Sequence, residues 1–470
     1  MTRAQGHRVR KRTGHPVLRA LAWVTAAAVL VGAIVGVTVL HQRGSLNDFL
    51  CGGDCGDRYV TAPEDLEALD PASQELSAVP PADVDDVAVS NAVEAALGQP
   101  LLGPHVGVSV RELDGTEVLA TSPDAFIPAS TTKVLTGYAA LTTLDPAQRF
   151  TTTAVLDGSR LVLVGGGDPY LMATPADKGF AAPADLATLA DRTGAELVEK
   201  GVTQVQLAYD DTLFTGPADN PVWEPSYAAQ NQVSPITALW TDRGRVDKRR
   251  VEDPSGTAAS IFAAQLTERG ITVTSVEPGA APAAGTPVAE VEGPTVAQAV
   301  ERMVLTSDNG AAEVLARHVA IASGQEGSFT AAAAAVTTAL ENAGIETTGL
   351  VLTDGSGLSR QNRIAPTTLT SVVVASRLTA PELSGDLPVA GFTGTLVERF
   401  VGVPGRGLAR VKTGALNQVH SLAGTVTTAD GVVLSIAVMV DQADLTRPLD
   451  SRAAVDAVVA SVAGCTCAAP

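Results

Sequence analysis

The chain has 470 residues, 45% hydrophobic and 18% charged, a balance that supports a large core and excludes a mainly disordered protein. That length exceeds one ordinary domain, so at least two folded units are expected. With 51 acidic residues against 32 Lys and Arg, the net charge of −19 argues against a nucleic-acid partner.

The charge is split along the chain. Arg3, Arg8, Arg10, Lys11, Arg12, Arg19 and Arg43 precede Gly44, and no acid does, so the remaining 25 cations face all 51 acids and the body carries about −26. Residues 1–19 form a basic head. Residues 20–40 are uncharged and apolar, long enough at about 1.5 Å per residue to span a hydrocarbon core of roughly 30 Å. Basic residues on the N-terminal side of this run predict a cytoplasmic head and a body outside. The run is longer than a signal-peptide core, and His41-Gln42-Arg43 follows it in place of a small-residue cleavage site. An N-terminal transmembrane helix is therefore expected, which makes the membrane a partner, with a cleaved signal as the alternative; both place the body outside. Residues 41–88 contain a stretch rich in Pro, Ala, Asp and Glu and read as an extracytoplasmic linker.

Four cysteines, Cys51, Cys55, Cys465 and Cys467, lie near the two ends of the expected exported part. An exported location permits disulfides among them, and four cysteines allow three pairings. A Cys465–Cys467 bridge closes a very tight ring, so bridges joining the two termini are expected.

In chain order, a short helix is predicted over 89–97, then strands over 106–110 and 118–120 joined at Asp114-Gly115. Ile127-Pro128-Ala129-Ser130 leads into a helix over 131–144. A second hairpin, 152–156 and 161–164 about Asp157-Gly158, ends in Gly165-Gly166-Gly167-Asp168-Pro169. A helix over 183–200, a strand over 202–208, a loop-rich stretch holding Trp223, Tyr227 and Trp240, a helix over 256–269 and a strand over 271–276 follow. The Ala, Gly and Pro run at 278–287 reads as a boundary. Helices over 295–305, 310–322 and 329–343 come next, then a hairpin, 419–428 and 432–440 about Asp430-Gly431, and a terminal helix over 450–463.

Three short motifs lie in order: Ser130-Thr131-Thr132-Lys133, Ser307-Asp308-Asn309 and Lys412-Thr413-Gly414. A serine at a helix start is exposed to the positive end of the helix dipole, and a lysine three residues on shares its face. Such a lysine, partly desolvated and near a second cation, can lose its proton and serve as base for the serine. Ser307 is expected to pass a proton to a leaving amine, and Asn309 to bond Lys133 or the substrate backbone. Lys412 would supply the second cation and, with Thr413, attract a substrate carboxylate. Gly414 would keep a strand edge bare for a peptide to pair along. The backbone N–H groups of Ala415 and Ser130 would form the oxyanion hole. The trio takes two of the chain's six lysines, which makes chance agreement improbable.

The trio resembles that of class A β-lactamases and penicillin-binding proteins. Together with Asp354-Gly355-Ser356-Gly357-Leu358-Ser359 and Asn362-Arg363, it is similar to the D-alanyl-D-alanine carboxypeptidase/endopeptidase family, the class C penicillin-binding proteins. Gly167-Asp168-Pro169 and the stretch from Asp210 to Trp223 resemble that family's inserted segment. The resemblance implies a mixed α/β (α+β) transpeptidase-like fold of the penicillin-binding/β-lactamase type, an antiparallel sheet between helical layers. The catalytic domain would comprise 89–149 and 288–464, interrupted by an accessory domain at 150–287. It further implies cell-wall (peptidoglycan) stem peptides as substrates, β-lactam antibiotics as inhibitors, and no cofactor or metal. Asp354, Gly355, Ser356 and Gly357 are expected to support the site, and His318 and His420 to be structural.

Two rival functions share the trio. A β-lactamase of class A needs a separate glutamate for deacylation, yet no E-x-x-x-N follows Asn309 at a sensible distance, and Glu313 has Arg317 four residues on. A non-enzymatic envelope scaffold would be expected to have lost Lys133 or Lys412.

Overall fold

The computed structural model describes residues 84–176 and 183–469. The expected head, the anchor at 20–40, nearly all of the linker, and Cys51 and Cys55 lie outside the described residues. Among the described residues no helix is long and apolar enough to cross a membrane.

The elements run α1 (Asp86–Leu97), β1 (Val106–Glu112), β2 (Glu117–Ala120), α2 (Thr132–Thr143), β3 (Arg149–Asp157), β4 (Arg160–Val164), α3 (Leu186–Glu199), β5 (Gln204–Asp210) and α4 (Ser226–Ala229). There follow β6 (Arg245–Val246), β7 (Arg249–Arg250), α5 (Pro254–Glu268), β8 (Thr272–Pro278), β9 (Thr286–Thr295), α6 (Val296–Thr306), α7 (Asn309–Ala322) and α8 (Phe329–Asn342). The last are α9 (Pro366–Thr379), α10 (Pro381–Asp386), β10 (Ala409–Leu416), β11 (Val419–Thr427), β12 (Val433–Val440) and α11 (Pro448–Ala463).

The main sheet has the order β10-β11-β12-β1-β2 and is antiparallel throughout. Alternation along β12 separates its two faces. Val438 and Val440 pack with Val108, Val110, Val455 and Val459 beneath α1 and α11, whereas Ala437 and Met439 join the larger core of α2, α6, α7, α8 and α9. The sheet is thus sandwiched between helical layers, and helix α2, which carries Lys133, is buried along nearly its whole length.

The second sheet, β8-β5-β4-β3-β9, is mixed: β4, β5 and β8 run parallel, while β3 pairs antiparallel with β4 and β9. It spans residues 149–295. The small-residue run at 278–287 is largely the connection from β8 into β9. A capping box at Thr295, whose hydroxyl and backbone pair with Gln298, then starts α6 directly.

Cys465 is bonded to Cys467, with Cα atoms 5.4 Å apart. This corrects the expectation that ring strain would send both to the N-terminal pair, since that separation lies in the ordinary disulfide range. The backbone itself ties the ends of the described chain together: Asp85 N donates to Cys467 O at 2.7 Å, and Val84 bridges Ala468.

A buried ion pair joins α11 to the loop before β10, where Arg399 meets Asp456 through both its Nε and an NH2 group. Removing one partner of a buried pair strands the other's charge. Asp456→Ala is expected to cost about 3–5 kcal/mol in urea unfolding, and Arg399→Met with Asp456→Leu distinctly less. Equal losses in the two variants would show that packing, not charge, carries the contact.

Candidate functional site

Ser130 lies in a 3-10 turn, Ala129–Thr131, that runs straight into α2. Ala129 holds φ at +48°, a conformation costly for a residue with a side chain. The Thr131 and Ser421 hydroxyls both donate to Pro128 O, at 2.7 and 2.6 Å, and Thr132 Oγ1 donates to Ala129 O at 2.9 Å. Gly414 is required here: a Cβ on it would come within 2.6 Å of Pro128 O and 2.1 Å of Ser421 Oγ. Strand β10 therefore passes directly beside the serine's turn.

One turn along α2, Lys133 is fully buried. Its Nζ donates to Ser130 Oγ at 2.9 Å, Asn309 Oδ1 at 2.8 Å and Ser356 O at 2.7 Å. Three acceptors match the three hydrogens of an ammonium. Burial pulls the lysine's proton affinity down to about 8, against the upward pull of Asp354, Glu313 and Asp308.

The second motif forms the junction of α6 and α7. Ser307 ends α6 in the left-handed region, with φ 57° and ψ 39°, which turns its hydroxyl into the site. Asp308 caps α7 by accepting Ala311 N and is held from outside by Arg243 at 3.0 Å. Asn309 Nδ2 donates to Gln232 O at 3.0 Å, so its amide spans Lys133 and the insert. On the remaining side, Lys412 Nζ donates to Ser307 Oγ at 2.8 Å and Thr413 O at 2.9 Å. Lys412 is fully buried, and burial, then the charges of Lys133 and Arg399, drive its proton affinity well down. Thr413 Oγ1 donates to Thr395 Oγ1 at 2.9 Å.

The three motifs thus meet around one cleft of roughly 350 Å³. Ser130, Asn309 and Ala415 line it together with Tyr227, Gln232 and Arg360. Tyr227 and Gln232 come from the insert, and nothing in their local sequence marks them as wall residues. His318 and His420 are not hydrogen-bonded to Ser130: His318 Nε2 pairs with Gly167 O at 2.9 Å, and His420 lies opposite Ala415 in the β10–β11 register. Asp168 turns the chain, accepting Tyr170 N at 2.8 Å. Among the described residues no cluster of three or more His, Cys, Asp or Glu side chains could hold a metal.

The Asp354–Ser359 loop braces Lys133, whose Nζ donates to Ser356 O. Asp354 is buried and accepts from Gly357 N, Ser359 N, Asn362 Nδ2 and the Trp223 indole, at 2.8, 2.6, 2.7 and 2.8 Å. Gly355 O accepts from Thr136 on α2, and Ser356 O from Lys133. The carboxylate of Glu313, absent from the expected site, accepts Ser356 N at 2.8 Å and Gly355 N at 3.1 Å. Gly357 has φ +83°, and a Cβ there would stand 1.8 Å from Ala129 O. Gly357→Ala should therefore displace the Ser130 turn, costing about 2–4 kcal/mol in thermal unfolding and at least tenfold in serine acylation. Wild-type acylation in a folded Gly357→Ala protein would refute this packing.

The family model for D-Ala-D-Ala carboxypeptidase 3 (S13) matches residues 89–249 and 247–462. Carboxypeptidase DacB of Mycolicibacterium smegmatis is 36% identical over 400 residues, covering 81% of this chain and 85% of that protein. Carboxypeptidase Rv3627c of Mycobacterium tuberculosis is 33% identical over 471 residues, covering 95% and 98%. The crystal structure of penicillin binding protein 4 (dacB) from Haemophilus influenzae superposes with a TM-score of 0.65 at 22% identity, over 79% of this chain and 97% of that one, and so shares the fold. With the family model matched from residue 89 to residue 462, the chain belongs to the D-Ala-D-Ala carboxypeptidase 3 (S13) family and is a serine-type D-Ala-D-Ala carboxypeptidase.

Proposed function

We propose that Ser130 is the nucleophile of this carboxypeptidase and that its substrates are peptidoglycan stem peptides ending in D-Ala-D-Ala. The observation that carries the reading is the Lys133 ammonium, fully buried and 2.9 Å from Ser130 Oγ. Once Lys133 sheds a proton, its lone pair can accept the Ser130 hydrogen while Oγ bonds to the penultimate D-Ala carbonyl carbon. The N–H groups of Ser130 and Ala415, which border the same cleft, would receive the developing oxyanion. Ser307 Oγ, bonded to Lys412, then gives a proton to the departing amine as the C–N bond breaks. Water hydrolyses the Ser130 ester, returning the proton to the serine and releasing the shortened peptide.

Lys412 and Thr413 fit the terminal carboxylate. A lysine so stripped of proton affinity regains it when an anion arrives, which ties substrate binding to recharging of Lys412. The same donors suit the carboxylate of a β-lactam, and a β-lactam is named in the complex of the Haemophilus influenzae protein, whose fold this chain shares at a TM-score of 0.61. Endopeptidase cleavage of a D-amino-acid cross-link would use the same serine, with the leaving side differently accommodated.

The proposal includes location. The basic head and the apolar run at 20–40 support a single-pass anchor, or a cleaved signal, with the catalytic body outside the cytoplasm.

A fluorescent penicillin should label the exported fragment, and Ser130→Ala should abolish the label; labelling that survives in Ser130→Ala sinks the assignment, and label lost within seconds marks a β-lactamase instead. The labelling rate should climb as pH rises through about 8, because only the neutral lysine is a base and burial sets that midpoint. A rate that falls over that interval would exclude Lys133 as the base.

A further inference from the structure

Glu313 lies one turn beyond Asn309 on α7, so the two side chains share a helical face. Asn309 bonds Lys133 directly, while Glu313 bonds the two amides of the loop whose carbonyl bonds Lys133. One helix face therefore grips the lysine from two directions. The carboxylate is fully buried. Arg317, one turn further along α7, donates to the carbonyls of Thr215, Pro217 and Gly327, stacks over Phe329 at 4.2 Å and feels the Glu313 charge without a hydrogen bond to it. The other charges facing this space are Asp354 on the loop, Asp308 at the start of α7, Lys133 on α2 and, beyond it, Lys412 on β10. The Glu313 charge favours the charged forms of two buried cations, Lys133 and Arg317, and Lys133 is the one that touches Ser130.

We propose that Glu313 is a positioning residue for the acylation step: it fixes the Ser356 carbonyl against Lys133, and its negative charge retains the lysine's proton until the serine is to be deprotonated. Burial and the Asp354 charge raise the proton affinity of Glu313 to about 7, beside about 8 for Lys133. The two groups thus change charge within neighbouring pH ranges and interact as they do so. Glu313 touches no substrate in this role. It acts through the loop and through the field at Lys133.

The inference rests on Lys133 being the base for Ser130. Penicillin acylation of the full-length chain, followed from pH 6 to 10 in wild type and Glu313→Gln, tests it. With the charge removed, the midpoint of the rate profile should move to lower pH by about half a unit to one unit, while the plateau falls no more than about tenfold. A midpoint that stays put or moves to higher pH overturns the proposal, since a purely structural glutamate would lower the plateau alone. Should Glu313→Gln fail to fold, the wild-type protein labelled with [13Cε]lysine still decides the matter. The chain has six lysines, and Lys133→Arg identifies the resonance concerned. That resonance should titrate in two steps, the lower one tracking Glu313, and a single step overturns the proposal. A wild-type protein that takes no penicillin at any pH would overturn the Ser130–Lys133 reading itself, a result distinct from an unmoved midpoint in an enzyme that labels.

Discussion

Two lysines are buried side by side, and the site is organised around the cost of keeping charge there. An ammonium taken out of water is expensive unless paired and fully hydrogen-bonded. Lys133 has three acceptors, with Asp354, Glu313 and Asp308 close enough to favour its charged form. Lys412 has only a hydroxyl and its neighbour's carbonyl as partners, and it faces Lys133 and Arg399. The pair therefore resists carrying two charges together. Burial and the neighbouring cations lower the proton affinity of Lys412, which makes its side the place where an arriving anion would be favoured.

Backbone strain delivers the reacting groups to that arrangement. Ala129 and Ser307 both take positive φ without being glycine, and each flanks or carries a side chain of the trio. Strain of this kind persists only where surrounding contacts over-determine it. Ser421 and Thr131 secure the first turn through Pro128 O, and Lys412 secures the second through the Ser307 hydroxyl. The insert contributes as well. Its Trp223 bonds Asp354, Arg243 pairs with Asp308, Gln232 accepts from Asn309, and Trp240 packs against the missing side chain of Gly310. Four contacts from the stretch 223–243 thus reach the supports of two motifs.

The parts of the fold most legible in the sequence are those with a local cause. The hairpins at Asp114-Gly115, Asp157-Gly158 and Asp430-Gly431 could be read because each turn glycine holds a positive φ that other residues resist. The trio was legible for the same reason: Ser130 and Lys133 meet through helical spacing, whatever the rest of the chain does. Helix α9 was not. Its Thr and Val content weakens helix propensity, and burial on several sides erases the amphipathic period. Glu313 was weighed only as a deacylating base and set aside, because nothing local links it to amides more than forty residues away. Disulfides from Cys51 and Cys55 to Cys465 and Cys467 were expected, yet Cys465 bonds Cys467, and the ends of the described chain are joined by backbone hydrogen bonds, which have no signature in residue identity.

The charge distribution bears on which end of a peptide the site favours. The molecule carries −19 overall, so at long range it repels an anionic substrate. Beside the cleft the two buried lysines lie together, and among the described residues no carboxylate is hydrogen-bonded to Lys412. At about the Debye length of 8–10 Å the distant acids are screened, while the buried lysines are screened far less. A free C-terminal carboxylate therefore gains at close range what the body withholds at long range. A neutral amide in the same place would leave Lys412 uncompensated and poor in protons. In the proposed reading, the recharging of Lys412 by an arriving carboxylate thus discriminates in favour of a free chain terminus, the end a carboxypeptidase acts on.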